Sequence, residues 1–251
     1  MTLHWIDHLF AVLLALAVPF SSYYSIRRYK AEIEAGATEK RGLLMRSLIT
    51  EEWVALAVLS LCWVVMGRCA RELGLGLQPG GAVGYAVAAV MCLLVLGQMV
   101  MVTRSAEGRA SFRETVRPAS FLLPHTLQER RLFDGLSVTA GVCEEIIYRG
   151  FLISYLTVLL GTPFWGAALL SSVIFGLGHT YQGPVGFGKT AMVGAAMALL
   201  VGLTGSVWAA IVVHAWLDLA AGRMYFAAVR DNGPETSSDS LTAAAEQPAG
   251  D

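Results

Sequence analysis

Charge is scarce in this chain: 15% of its 251 residues are Asp, Glu, Lys or Arg, while 55% are apolar. The mean hydropathy of +0.58 lies well above that of soluble domains, so the first class the composition points to is a membrane protein. The net charge is −1, and the basic residues fall in loops instead of forming a stripe interleaved with aromatics, so nucleic acid is not an expected partner. Cysteine is sparse too. Cys62, Cys69, Cys92 and Cys143 lie in or beside apolar runs without metal-ligand spacing and without the pattern of a secreted disulfide scaffold, which makes them packing residues. The first apolar stretch has neither a basic segment before it nor a clear small-residue cleavage site, and reads as a retained span. No internal repeat is visible.

What is present is a series of apolar runs of membrane length. A bilayer core takes about 20 mostly apolar residues per helix. About seven stretches come close, over residues 5–24, 53–70, 82–103, 134–160, 163–180, 189–205 and 206–227, and six or eight spans are compatible with the same pattern. The expected fold class is therefore all-α, a polytopic transmembrane helix bundle. Arg27, Arg28, Lys30, Lys40, Arg41 and Arg46 follow the first run, and Arg104, Arg109, Arg113, Arg117, Arg130 and Arg131 follow the third. The positive-inside rule places both loops in the cytoplasm, with the N-terminus outside and the C-terminus inside. Gly194, Ala198 and Gly202 recur every four residues and are expected to serve close helix packing. From about Asp231 the composition turns to Ser, Thr, Ala, Glu and Pro, which predicts a disordered tail.

Against that apolar background a few ionisable residues stand out. Glu144, Glu145 and Arg149 lie inside the fourth run. At the bilayer centre their insertion together costs on the order of 8 to 10 kcal/mol, a burden a fold keeps when the groups face a protein interior or a water-filled cavity. Glu145 and Arg149 are one helical turn apart and can neutralise each other. Glu144 points elsewhere on the helix and remains available as a base. The fifth run ends with Phe175 and His179, and the seventh carries His214 and Asp218 one turn apart. Three separate runs thus each bring an acid or an imidazole. At 1.5 Å rise per residue, Glu144 lies roughly 15 Å and His214 roughly 20 Å from the cytoplasmic end, with His179 near the boundary, so a shared cavity needs tilt or a re-entrant helix end. His8, beside Asp7, and His125, beside Pro124, read as surface or interface residues.

The ordered set Glu144-Glu145-x-x-x-Arg149, Phe175-x-x-x-His179 and His214-x-x-x-Asp218 resembles the CAAX-protease and bacteriocin-processing family of intramembrane peptidases, which includes CAAX prenyl proteases and lysostaphin resistance protein A-like proteins. The resemblance covers about residues 134–225. It implies an all-helical membrane core and endopeptidase activity, with bacteriocin maturation, immunity or scaffolding in some relatives. Carried over to this chain, Glu144 and His179 would activate water, His214 and Asp218 would stabilise the oxyanion, and Glu145 and Arg149 would support the site. The last motif position, Asn in many relatives, is Asp218 here. A carboxylate accepts hydrogen bonds but donates none, so the oxyanion role falls to His214 and an orienting role to Asp218. The organisation expected is N-terminal transmembrane helices with basic cytoplasmic loops over 1–133, the family-like catalytic bundle over 134–227, and a disordered tail over 228–251.

No cofactor is expected. The alternative is Zn2+ at Glu144, His179 and His214, although the usual zinc helix sequence His-Glu-x-x-His is absent. The expected partners are a peptide or membrane-protein substrate and the lipid bilayer, most naturally at the cell membrane. Two rival functions use the same residues: an ion or proton transporter, in which intramembrane acids and imidazoles mark an ion path, and a non-catalytic scaffold or immunity protein of the same fold.

Overall fold

The computed structural model describes residues 2–76 and 81–230, and all regular structure among them is helical. In chain order the helices are α1 (Trp5–Glu34), α2 (Lys40–Val65), α3 (Ala82–Arg104), α4 (Ala106–Thr115), α5 (127–160), α6 (Phe164–Gly178), α7 (Gly183–Thr204) and α8 (Trp208–Arg230). Length and composition qualify α1, α2, α3 and the helix containing α7 as candidate membrane spans, and α6 is a shorter apolar helix. Helices α5 and α8, both read as spans above, are the ones that carry the ionisable motifs.

Several boundaries differ from the hydropathy reading, each for a local reason. Helix α2 starts at Lys40, well before residue 53, because Glu51 and Glu52 interrupt apolarity without interrupting backbone hydrogen bonding; Ser47 Oγ donates to Glu51 at 2.6 Å. It stops before Gly67, whose φ of +67° suits a residue without a Cβ. Helix α5 starts at Leu127 instead of 134, since Thr126 and Glu129 form a reciprocal capping box. Helix α4 occupies what reads as a basic loop and is capped by Ser105, which accepts from Gly108 N at 2.8 Å. At the other end α8 runs to Arg230, so residues 228–230 of the expected tail are helical. Its remainder, residues 231–251, lies outside the described residues.

Apolar side chains such as Leu16, Leu61, Leu93 and Leu94 face outward and exposed, as lipid-facing residues do, while small and polar residues gather inside. This is an integral membrane protein. Helix α5 forms the centre, packed against α2 and α8, with α8 also on α3, and α6 paired with α7. Trp53 Nε1 donates to Thr139 Oγ1 at 3.0 Å between α2 and α5, and Trp216 Nε1 donates to the Cys92 carbonyl at 3.1 Å between α8 and α3. Where α5 crosses α8, a Cβ on Gly141 would stand 2.8 Å from Ala215 Cβ and 2.9 Å from its backbone nitrogen. The two backbones touch there, and Glu144, Glu145 and His214 lie next to that crossing. Residues 145–152 of α5 form a π-helical segment, a local widening of the helix that often marks functional sites.

Candidate active site

Three helices bring their ionisable residues to one place. His214 of α8 is the hub: its Nδ1 lies 2.7 Å from Glu145 Oε1, and its Nε2 lies 3.6 Å from Glu144 Oε2 and 3.7 Å from Asp218 Oδ2. Because Glu145 offers an acceptor at Nδ1, that nitrogen carries a proton, and Nε2 is turned to the two remaining carboxylates. Glu145 is fully buried, Glu144 is partly accessible, and Asp218 is the most open of the three. The gradient runs from a sealed anchor to a wet edge.

Arg149 Nη1 stands 3.0 Å from Glu145 Oε1, the ion pair expected from their spacing. The contact has ion-pair distance without hydrogen-bond alignment, and Arg149 Nη2 and Glu145 Oε2 have no hydrogen-bond partner. The guanidinium instead lies over the Phe175 ring, 4.3 Å from its centroid, and beside Gly194, where a Cβ would approach Nη2 to 3.1 Å. So the first glycine of the α7 small-residue face makes room for a buried cation as well as for helix packing. Phe175 also meets Tyr148, His179 and His214, with ring centroids at 5.0, 4.8 and 6.2 Å. It is the apolar floor on which both imidazoles rest.

His179 follows the last residue of α6, with Nδ1 3.0 Å from the Phe175 carbonyl. A carbonyl only accepts, so Nδ1 is the protonated nitrogen and Nε2 of the neutral ring keeps its lone pair. Helix α6 has 15 residues and spans about 22 Å, short of a hydrocarbon core of roughly 30 Å. His179 at its end lies within electrostatic reach of Glu144.

One acid was overlooked in the motifs. Glu52 of α2 points inward, its Oε2 is buried without a hydrogen-bond partner, and it feels the charges of Glu144 and Asp218. In sequence it looks like an end-of-span residue, since no periodic signal separates an inward from an outward acid near a helix centre. His8 and His125 behave as interface groups: His8 Nδ1 is 2.8 Å from Tyr155 Oη, and His125 Nε2 is 3.3 Å from Tyr225 Oη. Asp7 is not at a surface; it is buried in a bidentate pair with Arg68 at 2.6 and 2.7 Å. The four cysteines are free thiols.

With this geometry in place, comparison with protein families adds one finding: residues 132–220 match the model of the Rce1-like type II CAAX prenyl endopeptidases. The chain carries an Rce1-like domain. The matched segment contains Glu144, Glu145, Arg149, His179, His214 and Asp218, and leaves out Glu52 and all of α1 to α4. No curated protein and no solved structure matches the chain. The Rce1-like family is a family of proteases, and the site's chemistry agrees with that: carboxylates to take a proton, an imidazole to donate one, and an apolar shell around both. Among the described residues no group of three or more His, Cys, Asp or Glu side chains is arranged to hold a metal ion.

Proposed function

We propose that the protein is an intramembrane endopeptidase of the glutamate type, hydrolysing a peptide bond in a membrane-associated or leader-bearing substrate. The observation that carries this reading is the convergence on His214 of Glu144, Glu145 and Asp218, from two helices, inside the Rce1-like segment. Glu144, aided by His179, removes a proton from water, and the hydroxide adds to the scissile carbonyl carbon. His214 acts as the imidazolium: its Nδ1–H is held by Glu145 and its Nε2–H is donated to the oxyanion. As the tetrahedral adduct collapses the C–N bond breaks, and the proton taken by Glu144 passes to the departing amine. Asp218, on the open side of Nε2, shares the imidazole with Glu144 and limits its rotation. The Arg149 guanidinium, 3.0 Å from Glu145, keeps that carboxylate in place.

In this reading the protein sits in the cell membrane with its N-terminus outside and C-terminus in the cytoplasm, with about seven helices crossing. Its site then opens toward the cytoplasmic half of the bilayer. The test is cleavage of co-expressed candidate membrane proteins and leader peptides by wild type and Glu144→Ala, with new C-termini read by mass spectrometry. Products made by wild type and missing with an inserted, folded Glu144→Ala support the peptidase; identical products from both remove Glu144 from catalysis.

A further inference from the structure

The α5–α8 seam that carries the site continues past it toward the end of α8. Two turns beyond Ala215, a Cβ on Gly222 would stand 2.5 Å from the Phe133 ring of α5. One turn further Phe226 is buried, and two guanidiniums gather on its ring: Arg130 of α5, 5.1 Å from the centroid, and Arg230 of α8, 5.8 Å from it. Arg223 is exposed on the same face of α8 as Arg230, two turns before it. Helix α8 has 23 residues and is about 34 Å long, slightly more than a hydrocarbon core of roughly 30 Å, so Arg230 emerges at the headgroup layer.

The charges on this seam are poorly compensated. Among the described residues neither Arg130 nor Arg230 is ion-paired with a carboxylate. Glu129, next to Arg130, is taken by Arg41 at 2.9 Å. Asp134, one turn along α5 from Arg130, is the other acid nearby; its Oδ1 is buried without a hydrogen-bond partner. Three arginines against one carboxylate leave the seam cationic. The helix dipole explains only part of this: Arg230 lies at the negative end of α8, but Arg130 lies in the first turn of α5, at the positive end, where a cation is disfavoured. Two guanidinium forks on one apolar ring, at headgroup depth, suit a phosphate attached to a lipid.

We infer that the Arg230 end of the α5–α8 seam binds the phosphodiester headgroup of an anionic phospholipid, held between Arg130 and Arg230 with Arg223 as a third contact on the open side. The orientation proposed above places this end in the cytoplasmic leaflet, where anionic lipids collect. A lipid held there ties together the two helices whose crossing sets Glu145 against His214. The inference does not rest on the peptidase reading, and its test reads binding and stability, not cleavage.

Full-length protein in neutral detergent is titrated with phosphatidylglycerol or phosphatidylcholine, and bound lipid is counted by native mass spectrometry. A basic residue near anionic lipid contributes about fivefold in affinity. Arg130→Gln/Arg230→Gln should therefore bind phosphatidylglycerol about 20-fold more weakly, with phosphatidylcholine unchanged, and Arg130→Lys/Arg230→Lys should fall in between because it keeps charge and loses the fork. The comparison pair Arg46→Gln/Arg117→Gln, two exposed arginines elsewhere, should lose no more than about twofold. Wild type should unfold at a higher temperature in phosphatidylglycerol nanodiscs than in phosphatidylcholine nanodiscs, and the Arg130→Gln/Arg230→Gln protein should not. If that double variant is unfolded in phosphatidylcholine, Arg130→Gln alone decides, with about a fivefold loss expected. Equal affinity for the two lipids, or an equal loss in the comparison pair, reduces the effect to diffuse surface charge and overturns the inference. So does displacement of the lipid by an equal concentration of inorganic phosphate, which would make the seam a simple anion site. Residues 231–251 carry five acids, Asp231, Glu235, Asp239, Glu246 and Asp251, and no Lys or Arg. Phosphatidylglycerol binding seen only after Asp231→Asn/Glu235→Gln/Asp239→Asn would assign the arginines to that segment, and the inference would fall.

Discussion

His214 Nδ1 lies 2.7 Å from Glu145 Oε1, and the same oxygen is 3.0 Å from Arg149 Nη1. One buried carboxylate oxygen thus serves a ring on α8 and a cation one turn along its own helix. His214 Nδ1 has its hydrogen bond with Glu145, and Asp218, one turn along α8, lies 3.7 Å from the other ring nitrogen. Glu145→Gln keeps an acceptor at Nδ1 and removes the charge, so kcat should fall about 100-fold with little change in KM. Glu145→Leu leaves Arg149 buried without a counter-charge and should cost about 3 to 5 kcal/mol of stability. Pairing it with Arg149→Leu should restore the unfolding temperature without restoring activity; recovery of both would mean that the pair serves packing alone.

Glu144 is the proposed base, and Glu144→Gln should lower kcat by a factor of about 100 to 10,000 while leaving thermal unfolding close to wild type, since this side chain makes no hydrogen bond to another side chain of the site. Single-turnover kinetics on a substrate identified by mass spectrometry provides the measurement. A variant that retains half of wild-type activity would transfer the base role to another group.

Glu52 keeps a buried carboxylate oxygen without a hydrogen-bond partner. A buried, unpaired carboxylate oxygen costs about 1 to 3 kcal/mol, so Glu52→Gln should raise the unfolding temperature. Its nearness to Glu144 and Asp218 predicts a loss of activity of about tenfold in the same variant. If the protein becomes more stable and no less active, Glu52 lies outside the working site.

The α5–α8 crossing has no spare room at Gly141. Alanine there gains about 1 kcal/mol of helix propensity, but its methyl meets the Ala215 backbone at under 3 Å, and overpacking costs about 1 to 3 kcal/mol. Gly141→Val should exceed that cost, lower the unfolding temperature and reduce activity, because separating the helices moves His214 away from Glu145. Unchanged activity in an inserted Gly141→Val protein would show that the crossing does not set the site.

At the charged N-terminal ends of α2 and α5, ahead of their apolar runs, the α2–α5 junction predicts a pH response. Burial would raise the Glu129 carboxyl, but the His125 backbone N–H, the Arg41 guanidinium 2.9 Å away and the Thr126 N–H hold it below the ordinary 4.5. Burial, with Arg41 adding to it, lowers His125 below 6.5. In both cases the unfolded chain binds a proton before the folded one does, so stability is fully present above the unfolded values and declines on acidification. The decline should begin near pH 6.5 through His125 and deepen below pH 4.5 through Glu129. Unfolding temperatures measured from pH 8 to 3.5 should flatten in the upper part for His125→Gln and in the lower part for Glu129→Gln. Curves that coincide with wild type would remove the junction from acid sensitivity.

The sequence by itself determined the helical class, the membrane setting and the identity of the motif residues, because apolar runs of membrane length and ions placed inside them are local, costly features that survive without any knowledge of packing. Glu144, Glu145 and Arg149 are conspicuous for that reason, and the one-turn spacing of Glu145 and Arg149 foretells their pairing. Tertiary structure alone decided which oxygen meets which nitrogen: that Glu145 and not Asp218 meets His214 Nδ1, that Gly141 lets α8 come within contact of α5, and that His179 at the end of α6 comes within electrostatic reach of Glu144. Those relations depend on how far each helix slides and turns against its neighbours, and hydropathy is nearly blind to that choice. Glu52 shows the same limit, since an acid near the end of an apolar run reads alike whether it faces headgroups or a buried site.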